Sequence, residues 1–217
     1  MVKVWDKVAE VTVCTEGVCS MSYLAFFEEV EKISLFDDLT EFLGANSDGV
    51  IEFSYLDIVK SAGHSCATVA GAYLVALKGL EALYSDKLPQ RGYIKVELKR
   101  VATDDNAGVV GCVLSNITGA TTDYGFGGIP GGKYNRRELL YFGADIESDV
   151  CFTRLDTGEK VYVDYKPQKV VNPMKILKSA IMPDAKEEDI ESFPRRFQEM
   201  VKRVFDNADS VIEIRRG

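Results

Sequence analysis

The segment from Cys66 to Tyr84 constrains the fold of this chain more than any other. Its apolar side chains recur every three or four positions, a spacing that places them on one face of an α-helix. They are Val69, Ala70, Tyr73, Leu74, Leu77, Leu80 and Tyr84. The sequence therefore predicts a long helix with one buried face, and it places Gly63, His64 and Ser65 at the N-terminal approach to that helix.

Strand patterns follow this helix. Between residues 94 and 98, apolar and charged side chains alternate, which is the period of a strand that has one face in water. Segments 149–155 and 160–166 flank a turn that contains Gly158, a residue able to adopt a positive φ. We therefore expect a strand, then a hairpin, within an antiparallel sheet.

Helical patterns flank these strands at both ends. Before residue 60 we expect two helical stretches, the first beginning near Ser22, separated by the turn-rich segment 44–49. Pro194 suits the first turn of a helix that carries an apolar stripe. A strand at 210–214 is expected after this helix. Helices and antiparallel strands without βαβ alternation predict an α+β fold, in which an antiparallel sheet packs against helices.

Charge and hydropathy narrow the classes of partner. The formal net charge is -8, which disfavours a nucleic acid partner because phosphate backbones bind clustered Lys and Arg. Apolar runs such as 67–77 are shorter than a bilayer crossing needs, and the first ten residues do not have the pattern of a signal peptide. We expect a cytoplasmic protein with no membrane partner. Five cysteines, an odd number, predict reduced thiols.

The single histidine, His64, stands two residues before Cys66 at the predicted helix start. Free backbone N-H groups and the helix dipole at such a position favour a thiolate. Imidazole nitrogen and thiolate sulfur together suit Zn²⁺ and other thiophilic transition metals. The alternative is a helix-capping histidine beside a small packed cysteine, and spacing alone leaves both interpretations open. Cys14, Cys19 and Cys151 are interpreted as packing residues.

Two segments resemble the FmdE-like family, which is named after a component of formylmethanofuran dehydrogenase. GHSCATVAGAYLVALKGLEAL, from Gly63, is similar to the family's His-x-Cys segment and the helix that it begins. The segment from Cys112 to Thr121, CVLSNITGAT, resembles that family's second motif, and residues 143–165 resemble the hairpin that follows it. Two departures stand out, since Ala120 replaces the family's usual cysteine and Cys112 lies near its usual aspartate.

The resemblance implies an organisation and a site. Residues 55–170 would form the metal-binding core, 1–54 a helical segment packed on it, and 171–217 a C-terminal helix and strand without a zinc finger. It implies Zn²⁺ or another thiophilic metal at His64 and Cys66, with Cys112 as the third ligand, in a homodimer. The glycine-rich loop 124–137 is expected beside His64, where Lys133, Arg136 and Arg137 either meet an anionic substrate or remain solvated surface charges.

Three interpretations of function remain open at this point. The resemblance implies a metal-binding protein of one-carbon or redox metabolism that acts on a small molecule. The alternative is a noncatalytic accessory that delivers metal, or binds a small ligand, for a larger oxidoreductase partner. The third is a family member whose site is empty, which Ala120 in place of cysteine would allow. The sequence does not decide whether the protein is an enzyme.

Overall fold

The structure is a computed structural model that describes Glu10–Val11 and residues 23–217. In these residues the chain forms nine strands, eight α-helices and one 3-10 turn at Pro167–Lys169. In chain order the elements are β1 (Glu10–Val11), β2 (Tyr23–Leu24), α1 (Phe26–Glu29), β3 (Ile33–Phe36), α2 (Asp38–Phe42), β4 (Val50–Phe53), α3 (Tyr55–Ala62), α4 (Ala67–Tyr84), β5 (Ile94–Leu98), α5 (Ala107–Thr118), β6 (Leu140–Phe142), β7 (Val150–Arg154), β8 (Lys160–Tyr165), α6 (Pro173–Ile181), α7 (Glu187–Asp206), α8 (Ala208–Val211) and β9 (Ile212–Arg216).

Five strands form the main sheet in the order β6-β5-β7-β8-β9. The predicted strand and hairpin are confirmed as β5 and as β7 with β8, and Gly158 has a φ of 77° in the turn. The α+β class is also confirmed. The sheet is mixed, however, because β6 lies parallel to β5. Parallel neighbours need a crossover, and α5 between these strands supplies it.

Helix α4 lies at the centre of the fold. The predicted helix is confirmed at Ala67–Tyr84, where it contacts β7, β8 and β9 as well as α3, α5 and α7. It is buried on nearly every side, so the expectation of one buried face was too narrow. Small residues explain the difference: a Cβ on Gly79 would stand 2.6 Å from the Phe152 ring, so only glycine admits that contact.

The first 60 residues differ from the predicted pair of helical stretches. The second stretch is α3, but α1 ends at Glu29 and the chain then forms β3. β3 pairs with β4 across the predicted turn segment, and Asp37 begins the intervening α2 by accepting hydrogen bonds from Leu39 and Thr40. The side chains of β3 alternate between buried and half-buried positions. Pairing of β3 with β4 therefore decided the structure of this segment, against its helical sequence pattern. Ser22 lies outside the described residues.

The C-terminal segment shares the core of the protein. Helices α6 and α7 pack against each other, α7 buries Met200, Val201 and Val204 with contacts to α4, and β9 adds an edge strand to the sheet. The predicted strand is confirmed as β9. The predicted helix begins earlier than expected, at Glu187, and Pro194 lies inside α7. No helix in the described residues is long and apolar enough to cross a membrane.

Candidate functional site

The candidate site lies in the connection between α3 and α4. Ser54 and Asp57 form a capping box at the start of α3, and Gly63 ends this helix with a φ of 77°. Glycine adopts that left-handed conformation without the steric cost that other residues have. Cys66 then caps the N-terminus of α4, since its Sγ accepts from the Val69 backbone N-H at 3.5 Å. His64 therefore stands between two helix ends.

The predicted pair is brought together. His64 Nε2 lies 3.4 Å from Cys66 Sγ, and His64 Nδ1 lies 3.0 Å from the carbonyl oxygen of Ala62. A carbonyl only accepts, so Nδ1 donates its proton to it, and Nε2 faces the sulfur. His64 is exposed and Cys66 is half-buried, which leaves the pair open to solvent on the histidine side.

Three side chains from other elements hold this connection in place. Tyr55 Oη and Ser65 Oγ are 2.9 Å apart, and Gln198 Nε2 donates to the Ser65 carbonyl at 3.0 Å. Tyr165 Oη donates to the Ala67 carbonyl at 2.8 Å. Sequence reasoning missed all three roles. Strand alternation places Tyr165 on the same face as Val161 and Val163, but no local pattern marks Gln198.

Both tyrosine hydroxyls remain protonated at neutral pH. Burial raises the pKa of Tyr55, although its hydrogen bond with Ser65 lowers that pKa in part. Burial is also the main reason that the pKa of Tyr165 is raised, and the negative charge of a Cys66 thiolate raises it further.

Cys112 lies near this connection but does not complete a three-residue site. It is exposed on α5, one turn before Asn116, which donates to Ser61 Oγ at 2.6 Å. In the part of the chain that the structure describes, no three His, Cys, Asp or Glu side chains lie close enough together to hold a metal ion. The structure thus unites His64 with Cys66 and leaves the predicted third ligand outside the pair.

The loop 124–137 contacts the segment around α2. Its Tyr134 ring lies 5.4 Å from the Phe42 ring, and Arg136 is buried with Nη2 2.7 Å from an oxygen of Asp37. Both interpretations of Arg136, as a ligand for an anion or as surface charge, were wrong, because the guanidinium is held in a buried ion pair. Among the described residues, this loop makes no hydrogen bond or ring contact with His64, so its expected position gains no support.

The remaining cysteines take no part in this pair. Cys151 is buried in β7, and burial raises the pKa of its thiol, as expected for a packing residue. Cys14 and Cys19 lie outside the described residues. A scan against models of known protein families finds no match for the chain, and a search of curated proteins finds none either.

Proposed function

We propose that the protein binds a thiophilic transition metal, Zn²⁺ above all, through His64 Nε2 and Cys66 Sγ. The observation that carries this proposal is the distance of 3.4 Å between the two atoms. In a tetrahedral zinc site with Zn-S near 2.3 Å and Zn-N near 2.0 Å, the S-N edge is about 3.5 Å. The separation of the two atoms is therefore close to that of two ligands of one Zn²⁺.

The surroundings of His64 support the same proposal. A histidine that binds a metal usually donates its second ring N-H to a carbonyl or carboxylate, which orients the ring. Ala62 supplies such a carbonyl at 3.0 Å. Tyr55 and Gln198 restrain Ser65, which lies between His64 and Cys66 in the sequence. The geometry of the pair is therefore held by contacts from outside the connection.

Two donors leave further coordination positions to be filled. A substrate, a water or a second copy of the chain would fill them, and we propose a homodimer because each chain has a single histidine. A Zn²⁺ with an open position polarises carbonyls and lowers the pKa of water. The resemblance to the FmdE-like family of formylmethanofuran dehydrogenase supports a role in one-carbon or redox metabolism, as an enzyme or as an accessory that delivers metal to an oxidoreductase.

A second candidate is a metal-free Cys-His pair. The distance of 3.4 Å also suits a hydrogen bond from the thiol to Nε2, with the imidazole as base for a nucleophilic sulfur. This candidate is favoured by the fact that, within the described residues, no third His, Cys, Asp or Glu joins the pair. Metal content and thiol reactivity distinguish the two candidates.

The experiment is metal analysis of anaerobically purified wild type, His64→Ala and Cys66→Ala, with Cys112→Ala as the matched control. We expect stoichiometric metal in the wild type and its loss in both site variants, with occupancy falling at low pH as the ligands are protonated. Retention of metal by Cys112→Ala would exclude that residue as a needed ligand. Equal metal in wild type and both site variants contradicts the proposal.

If the wild type carries no metal, alkylation of Cys66 decides the second candidate. A Cys-His pair predicts that His64→Ala slows alkylation at neutral pH, because the base that takes the thiol proton is gone. An unchanged rate would leave the cysteine a packing and capping residue.

A further inference from the structure

A cavity of about 520 Å³ lies along one face of α4, the helix that Cys66 caps. Thr68, Gly71, Ala72 and Val75 form one wall, and their spacing of three and four residues shows that a single helical face lines it. Apolar side chains of β5, α5 and β7 line other walls, namely Leu98, Val110 and Val150. The volume suits a small organic molecule.

Tyr165 connects this cavity to the start of α4. Its ring lines the cavity, and its hydroxyl donates at 2.8 Å to the carbonyl of Ala67, the residue that follows Cys66. The ring lies flat on α4 because residue 71 is glycine: a Cβ there would stand 2.2 Å from Tyr165 Cε1.

The charged groups that line the cavity already have partners. Arg100 forms an ion pair with Asp105. Asp149 accepts the Tyr165 backbone N-H at 3.0 Å and lies 4.0 Å from Lys166. These ion pairs offset most of the charge on the cavity wall, and burying an unpaired ligand charge against the apolar side chains would be unfavourable.

We propose that this cavity binds the substrate of the His64–Cys66 pair, and that this substrate is an uncharged, largely apolar small molecule. The apolar body packs against Val75, Val110 and Val150, and Thr68, the lining residue of α4 nearest to Cys66 in the sequence, supplies a polar contact. The assignment as substrate rests on the function proposed above for the pair. The cavity itself is tested without reference to metal.

The first measurement is binding of N-phenyl-1-naphthylamine, a neutral probe that fluoresces in apolar surroundings. Its anionic counterpart of the same skeleton, anilinonaphthalene sulfonate, serves as the charge control. We expect the neutral probe to bind at least about tenfold more tightly, which corresponds to about 1.4 kcal/mol. Equal or tighter binding of the anionic probe contradicts the predicted ligand class.

The second measurement locates the probe. Val110→Phe fills the cavity, whereas Val109→Phe makes the same change at the adjacent, also half-buried, position of α5 that does not line it. We expect at least about tenfold weaker probe binding for Val110→Phe alone. Thr68→Phe fills the cavity from α4 and replaces Val110→Phe if that variant does not fold. Unchanged affinity in a folded filling variant contradicts the location.

The third measurement links the cavity to the cysteine. With chelator present, bound N-phenyl-1-naphthylamine should slow alkylation of Cys66 by N-ethylmaleimide, measured at each cysteine by mass spectrometry, while Cys112 reacts at its usual rate. A Cys66 rate that the probe does not change contradicts the assignment as substrate cavity. Protection of Cys66 in a protein that binds no metal would refute the metal proposal alone, so the two failures are distinguishable.

Discussion

Gly79→Ala tests the close packing of α4 against the main sheet. The added Cβ would stand 2.6 and 2.8 Å from two atoms of the Phe152 ring and 3.2 Å from a methyl group of Val163. Both neighbours are fully buried, so neither side chain has space into which it can move. The substitution therefore forces strain into the centre of the core.

The expected cost follows from two opposing effects. Overpacking a close-packed core costs about 1 to 3 kcal/mol, and full burial of both neighbours places this site at about 3. Replacing glycine by alanine inside a helix stabilises the folded state by about 1 kcal/mol. We therefore expect a net loss of about 2 kcal/mol in the free energy of unfolding, or roughly 4 to 8 °C in Tm for a chain of this size.

Gly71→Ala is the matched control on the same helix. Its Cβ would meet the Tyr165 ring at 2.2 Å, but this ring is only half-buried and borders the cavity, into which it can turn. Loss of the tyrosine hydrogen bond costs about 1 kcal/mol, which the helix propensity of alanine offsets, so the net change is about zero.

Urea unfolding followed by circular dichroism measures both variants. With a slope of about 2 kcal/mol per M, Gly79→Ala should lower the midpoint by about 1 M while Gly71→Ala leaves it nearly unchanged. Adding Phe152→Leu to Gly79→Ala should recover part of the loss, because the smaller side chain vacates the contact. Gly79→Ala at wild-type stability, or equal losses in the two variants, would refute the reasoning.

Three further predictions concern the ion pair, the site connection and the assembly. Burial alone would raise the pKa of Asp37, but the Arg91 hydrogen bond and the Arg136 charge lower it below its ordinary value. The ionised carboxylate therefore stabilises the fold above about pH 4, and this contribution is lost as pH falls through the folded pKa. Asp37→Asn should lower the free energy of unfolding at neutral pH by about 3 kcal/mol, and its stability, measured by urea unfolding, should fall less steeply below pH 4 than that of the wild type. Parallel stability curves for the two proteins would contradict this prediction. Gln198→Leu removes the hydrogen bond to the Ser65 carbonyl. Alkylation of the Cys66 thiol should then become several-fold faster, while the free energy of unfolding falls by only about 1 kcal/mol. An unchanged alkylation rate would show that this hydrogen bond does not hold the connection between α3 and α4. Sedimentation at micromolar concentration should give twice the chain mass, and a monomer throughout would remove a shared metal site.

Sequence periodicity predicted those elements whose patterns are local. Helix α4, strand β5 and the β7–β8 hairpin follow from side-chain spacing over a few residues and from one glycine turn. The contact between His64 and Cys66 is also local, since the two residues are separated by one position at a helix start. Local patterns were wrong in two places. In β3, strand pairing competed with helix formation, and in α4 the small residues gave no hydrophobic signal for the sides of the helix that are also buried.

Only the tertiary structure decided what surrounds the pair. Gln198 reaches Ser65 across 133 positions of the chain, Tyr165 arrives from the sheet, and the cavity forms where α4, α5 and the ends of three strands meet. The sequence by itself determined that an imidazole and a thiol would lie together at the start of a buried helix. Which side chains restrain them, and where the cavity forms, depend on packing between distant segments, which no local spacing encodes.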